Sequence, residues 1–319
     1  MSAFKSEFLG EGREDTMLET DQTRALERYK VKIDSSRIER RVRLNNGLKH
    51  LFSLSTVFAL VVLAILLYRI GVQSAGWLDL QFLTSNLSRF ADKAGIYGAI
   101  LGTVYLMFIV VPVTLVLGVS TAIYLEEYAS KGRIQRFIKV NISNLASVPS
   151  VIFGLLGLAV FGRMLNLGSS ILAGGLTMSL LVLPTVVVAS QEAIKAVPGF
   201  LREASYGMGA DKWTTIRKVV LPVALPGILT GSILAMSRAI GETAPLVVLG
   251  IPTLILKIPN SLMDDFTALP IQIYYWTLDT VLTPEYANLA AATIVVLLAV
   301  LFILNSVAII IRNKFQKRF

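Results

Sequence analysis

Six apolar runs punctuate the chain, near residues 51–72, 97–124, 141–166, 169–193, 222–251 and 287–311. Each reaches the roughly 20 residues that a helix rising 1.5 Å per residue needs to cross about 30 Å of hydrocarbon. The pattern therefore predicts an all-α membrane protein with six spans. Only a few residues around "NLGSS" separate the third run from the fourth, so these two should form a tight helical hairpin. Residues 1–46 are polar and mixed in charge, and end in the basic cluster "SSRIERRVR" (Ser35–Arg43). A secretory signal carries its apolar core within the first 15–30 residues, whereas here the first run starts near Leu51. The tail reads as a cytoplasmic extension, partly disordered or a short surface helix, ahead of a membrane domain over 47–319.

Composition sharpens this picture. Hydrophobic residues make up 54% of the chain and charged ones 16%, with a mean hydropathy of +0.67. A soluble domain carries about 25% charged residues. The net charge of +9 is informative through its placement. Lys131, Arg133, Arg136 and Lys139 fill the segment after the second run; Lys195, Arg202, Lys212, Arg217 and Lys218 fill that after the fourth; Arg312, Lys314, Lys317 and Arg318 close the chain. The alternate segments hold Arg89 and Lys93, then Arg163, then Lys257, and the last of them is acidic at Asp264, Asp265, Asp279 and Glu285. Both termini should be cytoplasmic, and the basic character is a topology signal that speaks against nucleic-acid binding. Without cysteine there is no disulfide framework, thiolate metal site or cysteine nucleophile. The single histidine, His50, sits in a basic flank and reads as a surface residue.

Prolines at 112, 149, 184, 226 and 245 fall inside runs two to five. Spanning helices tolerate them when neighbours satisfy the freed carbonyls, and transporters often use broken helices, although kinked bundles of any kind contain them too. "VPGFLREASYGMGADKWTTIRKVVLPVALPG" (Val197–Gly227) is more telling. Pro198 suits the first turn of a short helix in which Leu201, Ala204, Ser205 and Met208 share a face. Gly207 and Gly209 end it, and Asp211 can cap a second helix through Trp213 and Ile216. Such an element either lies on lipid headgroups or docks a soluble partner.

"SRAIGETAPL" (Ser237–Leu246) puts charges inside an otherwise apolar run. A charge at a helix centre costs about 2.5–3.5 kcal/mol on insertion scales. Arg238 lies roughly 18 Å beyond Pro226 along a helix, near mid-bilayer, and Glu242 follows one turn later. Gly227, Gly231, Ala235 and Ala239 form a small-residue stripe that permits close approach of another helix. Two readings stand: an internal ion pair that locks packing, or a guanidinium that offers bidentate donors to an anion.

The Val197–Gly227 stretch resembles the EAA loop of ATP-binding-cassette importer permeases. That pattern runs Glu-Ala-Ala, three residues, Gly, nine residues, Ile, one residue, Leu-Pro; here it reads Glu203-Ala204-Ser205, Gly209, Val219, Leu221-Pro222. Ser205 and Val219 depart from it, small for small and β-branched for β-branched. The region Leu201–Leu246 and "NLASVPSVIFGLLGL" (Asn144–Leu158) are similar to the phosphate-specific branch, while "LPIQIYYWT" and "NSVAIIIRNKFQKRF" favour its PstA-type over its PstC-type subunit. The likeness covers roughly 50–319. It implies a type I importer permease whose loop, about 197–222, couples to a separate ATP-binding-cassette ATPase dimer through Glu203, Ala204, Ser205, Gly209, Leu221 and Pro222. It also implies a second, PstC-type permease chain, an extracytoplasmic phosphate-binding protein, and a substrate path using Arg238, Glu242 and Thr243. No cofactor or metal of its own is implied. The chain lacks the G-x-x-x-x-G-K-[ST] phosphate loop, so ATP chemistry must come from another subunit.

The expected function is thus permeation of inorganic phosphate across a plasma (inner) membrane, without enzymatic activity in this chain. The same machine moving molybdate or sulfate is the near alternative, and a phosphate-sensing scaffold without flux the distant one. Flux demands a polar path, which Arg238–Thr243 with Ser150, Thr177 and Ser179 would line. An intramembrane enzyme is disfavoured, because the spans contain no histidine, aspartate pair or G-x-S-x-G.

Overall fold

A computed structural model describes residues 35–130, 132–252 and 258–315. The expectations for residues 1–34, Lys131, Lys257, Lys317 and Arg318 fall outside the described residues. The chain divides into two compact units, Met1–Leu66 and Leu67–Phe319. Of the first, the described part belongs to helix α1 (Ser35–Ser74). The basic cluster and the first apolar run thus share one helix, with no break at 46/47. At 40 residues this helix is about 60 Å long, roughly twice the hydrocarbon thickness.

Among its described residues the second unit consists of helices and the loops that join them, with one isolated bridge between Ser170 and Asp265. Short α2 (Leu80–Thr84) is capped by Asp79, whose Oδ1 accepts from the Phe82 amide at 2.7 Å. Helix α3 (Tyr97–Ile123) runs on into one π-helical turn, Tyr124–Tyr128. Next come α4 (Arg133–Ser147) and α5 (Ser150–Gly157), the latter continuing π-wound through Met164. Helix α6 (Ile171–Lys195), short α7 (Gly199–Gly207) and α8 (Lys212–Ile240) follow. Then come α9 (Ala244–Val248), α10 (Leu269–Asp279) and α11 (Tyr286–Phe315).

Two of the six apolar runs are not straight spans. Among the described residues five helices are long and apolar enough to cross a membrane, and a sixth span exists only if α4 and α5 count as one, bent by 103°. Pro149 explains the bend. Its ring disfavours the α region for the residue before it, and Val148 sits at φ −70°, ψ 133°, ending α4. The run expected at 222–251 also breaks. Helix α8 stops at Gly241, and a new turn starts only at Ala244, with Pro245 in a first-turn position where no amide proton is required.

Small residues set the packing, as they do where lipid removes any hydrophobic drive between helices. A β-carbon at Gly118 would crowd Val186, and one at Gly175 would crowd Ile109, so α3 and α6 approach backbone to backbone. Gly227 and Gly231 meet Ala193 and Ala189, so the first half of the stripe on α8 seats on α6 of the same chain. The hairpin at "NLGSS" is made by Asn166 and Gly168 at φ 53° and 60°, after which Ser170 caps α6. At this end the Ile171 and Leu172 amides, two of the orphan donors of a helix start, donate to the carbonyls of Asp264 and Leu262. Fully buried Phe266 then fills the notch left by Gly174.

Candidate functional site

A cleft of about 250 Å³ opens where the broken elements meet. Its walls are the bend from Leu145 to Ser150, the mid-length of α6 at Leu181, Val182 and Thr185, and the end of α8 at Arg238 and Glu242. Residues 181–185 stand roughly 15–21 Å along a helix of about 37 Å, so the cleft lies near mid-depth. The proline that bends α4–α5 and the glycine that ends α8 open the space between packed helices.

Arg238 Nε donates to Glu242 Oε1 at 3.2 Å. The Glu242 side chain is 18% exposed from this chain and that of Arg238 73%. The terminal guanidinium nitrogens have no partner among the described residues, leaving their donor fork free. A cation in the last turn of α8 also faces the negative end of the helix dipole. One residue earlier, the Ser237 hydroxyl meets Asn305 of α11 at 2.7 Å, which fixes the rotation of α8 at this level.

The structure gathers some of the residues expected on a polar path and separates others. Ser150 lines the cleft with Arg238 and Glu242. Thr243 is half-buried and precedes α9; its carbonyl accepts from the amides of Leu246 and Val247. Thr177 and Ser179 do not reach the cleft. Both are buried, and each hydroxyl donates at 2.7 Å to a carbonyl one turn back, Ala173 and Gly175. Thr177 is covered by Gly157 of α5. Their polarity is absorbed by the helix backbone, a local bond that leaves nothing for a solute.

At one end of the unit, the loop containing Glu203 forms α7 and a sharp turn. Gly209 takes φ +82°, a left-handed value that favours glycine. Ser205 Oγ lies 2.8 Å from Oγ1 of buried Thr215, so the departure from alanine at this position is matched by a partner hydroxyl. Leu221 and Pro222 open the straight part of α8. Asp211 occupies the N-cap position of α8, but its side chain makes no cap hydrogen bond; the Thr214 hydroxyl beside it lowers the pKa of its carboxyl. The inward side of α7 is Leu201, Arg202 and Ser205; Ala204 and Met208, expected on that same face, are exposed. With Phe200, Glu203 and Trp213 they form an uncovered, partly apolar surface.

Sequence reasoning missed the acidic pair beneath this loop. Glu127 accepts from Arg202 Nη2 at 2.9 Å and Nε at 3.1 Å, and Glu126 from Lys139 Nζ at 3.0 Å and Gln191 Nε2 at 2.8 Å. On sequence alone Lys139 and Arg202 are topology markers. The available signal was two adjacent glutamates closing an apolar run, where each buried charge requires a partner.

The family described as binding-protein-dependent transport system inner membrane component matches residues 114–319, well over half the chain. The probable ABC transporter permease protein YqgI of Bacillus subtilis is 34% identical over 196 residues, covering 61% of this chain and 67% of its own. Two relatives carry phosphate transport system permease names. PstA 1 of Mycobacterium tuberculosis is 36% identical over 218 residues, covering 66% of this chain and 70% of its own. PstA of Mycobacterium leprae is 38% identical over 213 residues, covering 64% and 67%. Among solved structures, a bacterial ABC transporter involved in import of the acidic polysaccharide alginate superposes with a TM-score of 0.61 at 16% identity, over 88% of this chain and all of its own. The inward-facing MetNI methionine ABC transporter gives 0.56 at 18% identity, over 70% and 96%. At those identities the likeness is one of fold. Helix order, loop motif and family match agree, and the chain belongs to the binding-protein-dependent transport system inner membrane components, as a PstA-type ABC permease.

Proposed function

We propose that this chain is one of two permease subunits of an ATP-driven importer of inorganic phosphate, paired with a PstC-type chain. In this reading α4–α5 is a single bent span, giving six, with both termini and the basic loops cytoplasmic. A separate ATPase dimer docks on Val197–Pro222, and an extracytoplasmic binding protein delivers the anion. The exposed Phe200, Ala204, Met208 and Trp213 are the apolar part of the docking surface.

The observation that carries the substrate assignment is Arg238. Its Nε is held by Glu242 while its terminal nitrogens stay open beside a mid-depth cleft. An arginine locking packing within this chain would be buried and bonded out. An open planar fork matches two oxygens of a tetrahedral oxyanion, and charge-assisted bonds there are roughly twice as strong as neutral ones. The phosphate transport names of the mycobacterial relatives support the choice of anion. The test is ATP-driven uptake into vesicles holding this chain and its partners, with phosphate, sulfate and molybdate compared. Phosphate should accumulate in preference to the others. Equal accumulation of all three, or of sulfate or molybdate alone, refutes the assignment.

A further inference from the structure

Glu126 and Glu127 lie in neither the Arg238 cleft nor the loop that docks the ATPase, yet their contacts join the two. Both sit on the π-helical turn that ends α3, and both side chains are largely buried, at 13% and 7% exposure. Such turns insert one extra residue and are frequent at functional positions. Here the turn carries two neighbouring carboxylates to different elements.

Glu127 holds Arg202, the residue before Glu203 in α7. The same guanidinium donates to the Ile194 carbonyl in the last turn of α6 at 3.0 Å and to the Val197 carbonyl just beyond it at 2.7 Å. The docking helix is therefore fastened to α3 and α6 through one cation. Glu126 holds Lys139 of α4, while Gln191 of α6 donates to the same oxygen. Gln135 of α4 adds a bond to the Leu125 carbonyl at 2.8 Å. None of the residues of α4 is buried, so these polar ties rather than apolar packing fix its first half. Its far end, Leu145 to Ser147, forms a wall of the Arg238 cleft. Eight residues of continuous helix, about 12 Å, separate Lys139 from Ser147.

We propose that Glu126 and Glu127 are positioning residues for transport: through Arg202 on one side and Lys139 on the other, they make α7 and α4 move together, so that displacement of the docking loop by the ATPase shifts the wall of the cleft. This rests on the function proposed above. The physical requirement is a stiff link between elements with few other contacts. A largely buried carboxylate supplies it, because leaving either charge without its partner is strongly unfavourable. Sliding of one tied element then draws the other.

The test uses the assembled transporter in vesicles, with ATP hydrolysis and phosphate uptake measured together. Lys139 touches neither the docking face nor the cleft, so Lys139→Met is the cleanest break, and Glu126→Gln is the complementary one. Each should let ATP hydrolysis continue while phosphate moved per ATP falls about ten-fold, within the usual range of coupling between sites. The exchanged pair Glu126→Lys with Lys139→Glu should recover most of the loss, which a general destabilisation would not. A second readout needs no substrate. Spin labels on Phe137→Cys and Leu117→Cys, both exposed and in a chain without native cysteine, report α4 against α3. Their separation should stay fixed through the ATP cycle in the otherwise native chain, where Glu126 ties the two helices, and change with ATP in Lys139→Met. Uptake per ATP within about two-fold of native in both single variants, failure of the exchanged pair to recover, or equal label movement with and without Lys139 each overturns the joint. If the native assembly moves no phosphate yet the labels respond as described, the substrate assignment fails and the joint stands.

Discussion

Arg238 shows how one side chain carries two kinds of information. Its residue type and position in an apolar run marked it as costly; its bond to Glu242 through Nε alone shows where its remaining donors are free. Arg238→Gln keeps volume and hydrogen-bonding capacity but removes charge, so phosphate uptake should drop by two orders of magnitude or so while the assembled complex forms in native yield. Arg238→Lys keeps a point charge without the planar fork and should retain partial uptake. Glu242→Gln should be milder if Glu242 only positions the arginine. A packing role predicts otherwise: both neutralisations would lower complex yield, and the charge-free double variant would restore yield and transport. Uptake and yield for the three variants separate these outcomes. At the same scale, Thr177 and Ser179 carry polar types that fit a path but lie outside the cleft, each hydroxyl satisfied one turn back.

At the scale of elements, composition told spans from loops but not straight spans from broken ones. The run at 141–166 turns by 103° at Pro149, whereas α3 and α6 continue through Pro112 and Pro184. Residue type alone does not choose between these outcomes; the choice depends on whether neighbours cover the freed backbone. Close helix approach is more legible, and it can be tested. Gly174 faces the ring of Phe266, where an added β-carbon would lie 2.7 Å from Cζ, while Gly98 on α3 has open space around it. Gly174→Ala should lower stability by about 1–3 kcal/mol, the usual cost of overfilling a packed site. Gly98→Ala should leave it level or slightly raised, because glycine is the weaker helix former. Thermal midpoints of the detergent-solubilised proteins check both. Equal behaviour of the two variants would mean that Phe266 yields freely.

For the whole molecule, the charge pattern makes the firmest forecast. If lysine and arginine retain the loops on the cytoplasmic side, a cysteine at Lys212 labels only from that side and one at Asp264 only from the other. The chain has no cysteine of its own, so each substitution is read without background. Access to position 264 from the cytoplasmic side alone would refute the six-span arrangement. The two positions sit at opposite ends of the second unit, Asp264 beside the start of α6 and Lys212 at the start of α8, just past the loop that follows α6.

Quantities that add up along the chain are legible before any fold is known. Apolar length, Lys/Arg bias and the Glu203–Pro222 spacing are local sums or offsets, so they mark membrane helices and predict an orientation and a docking loop without any knowledge of neighbours. Everything else turns on which residues distant in sequence come to face one another. The small-residue stripe on α8 could have met any helix; Gly227 and Gly231 meet α6, while Ala235 and Ala239 border the cleft. Lys139 and Arg202 looked like solvated topology charges, and they clasp adjacent glutamates of a π-helical turn. Thr177 lay among polar path candidates, and it is sealed beneath Gly157. In each case the residue type was plain, but the free energy of a charge or hydroxyl turns on its partner and its access to water. Those are properties of the folded arrangement, not of the string.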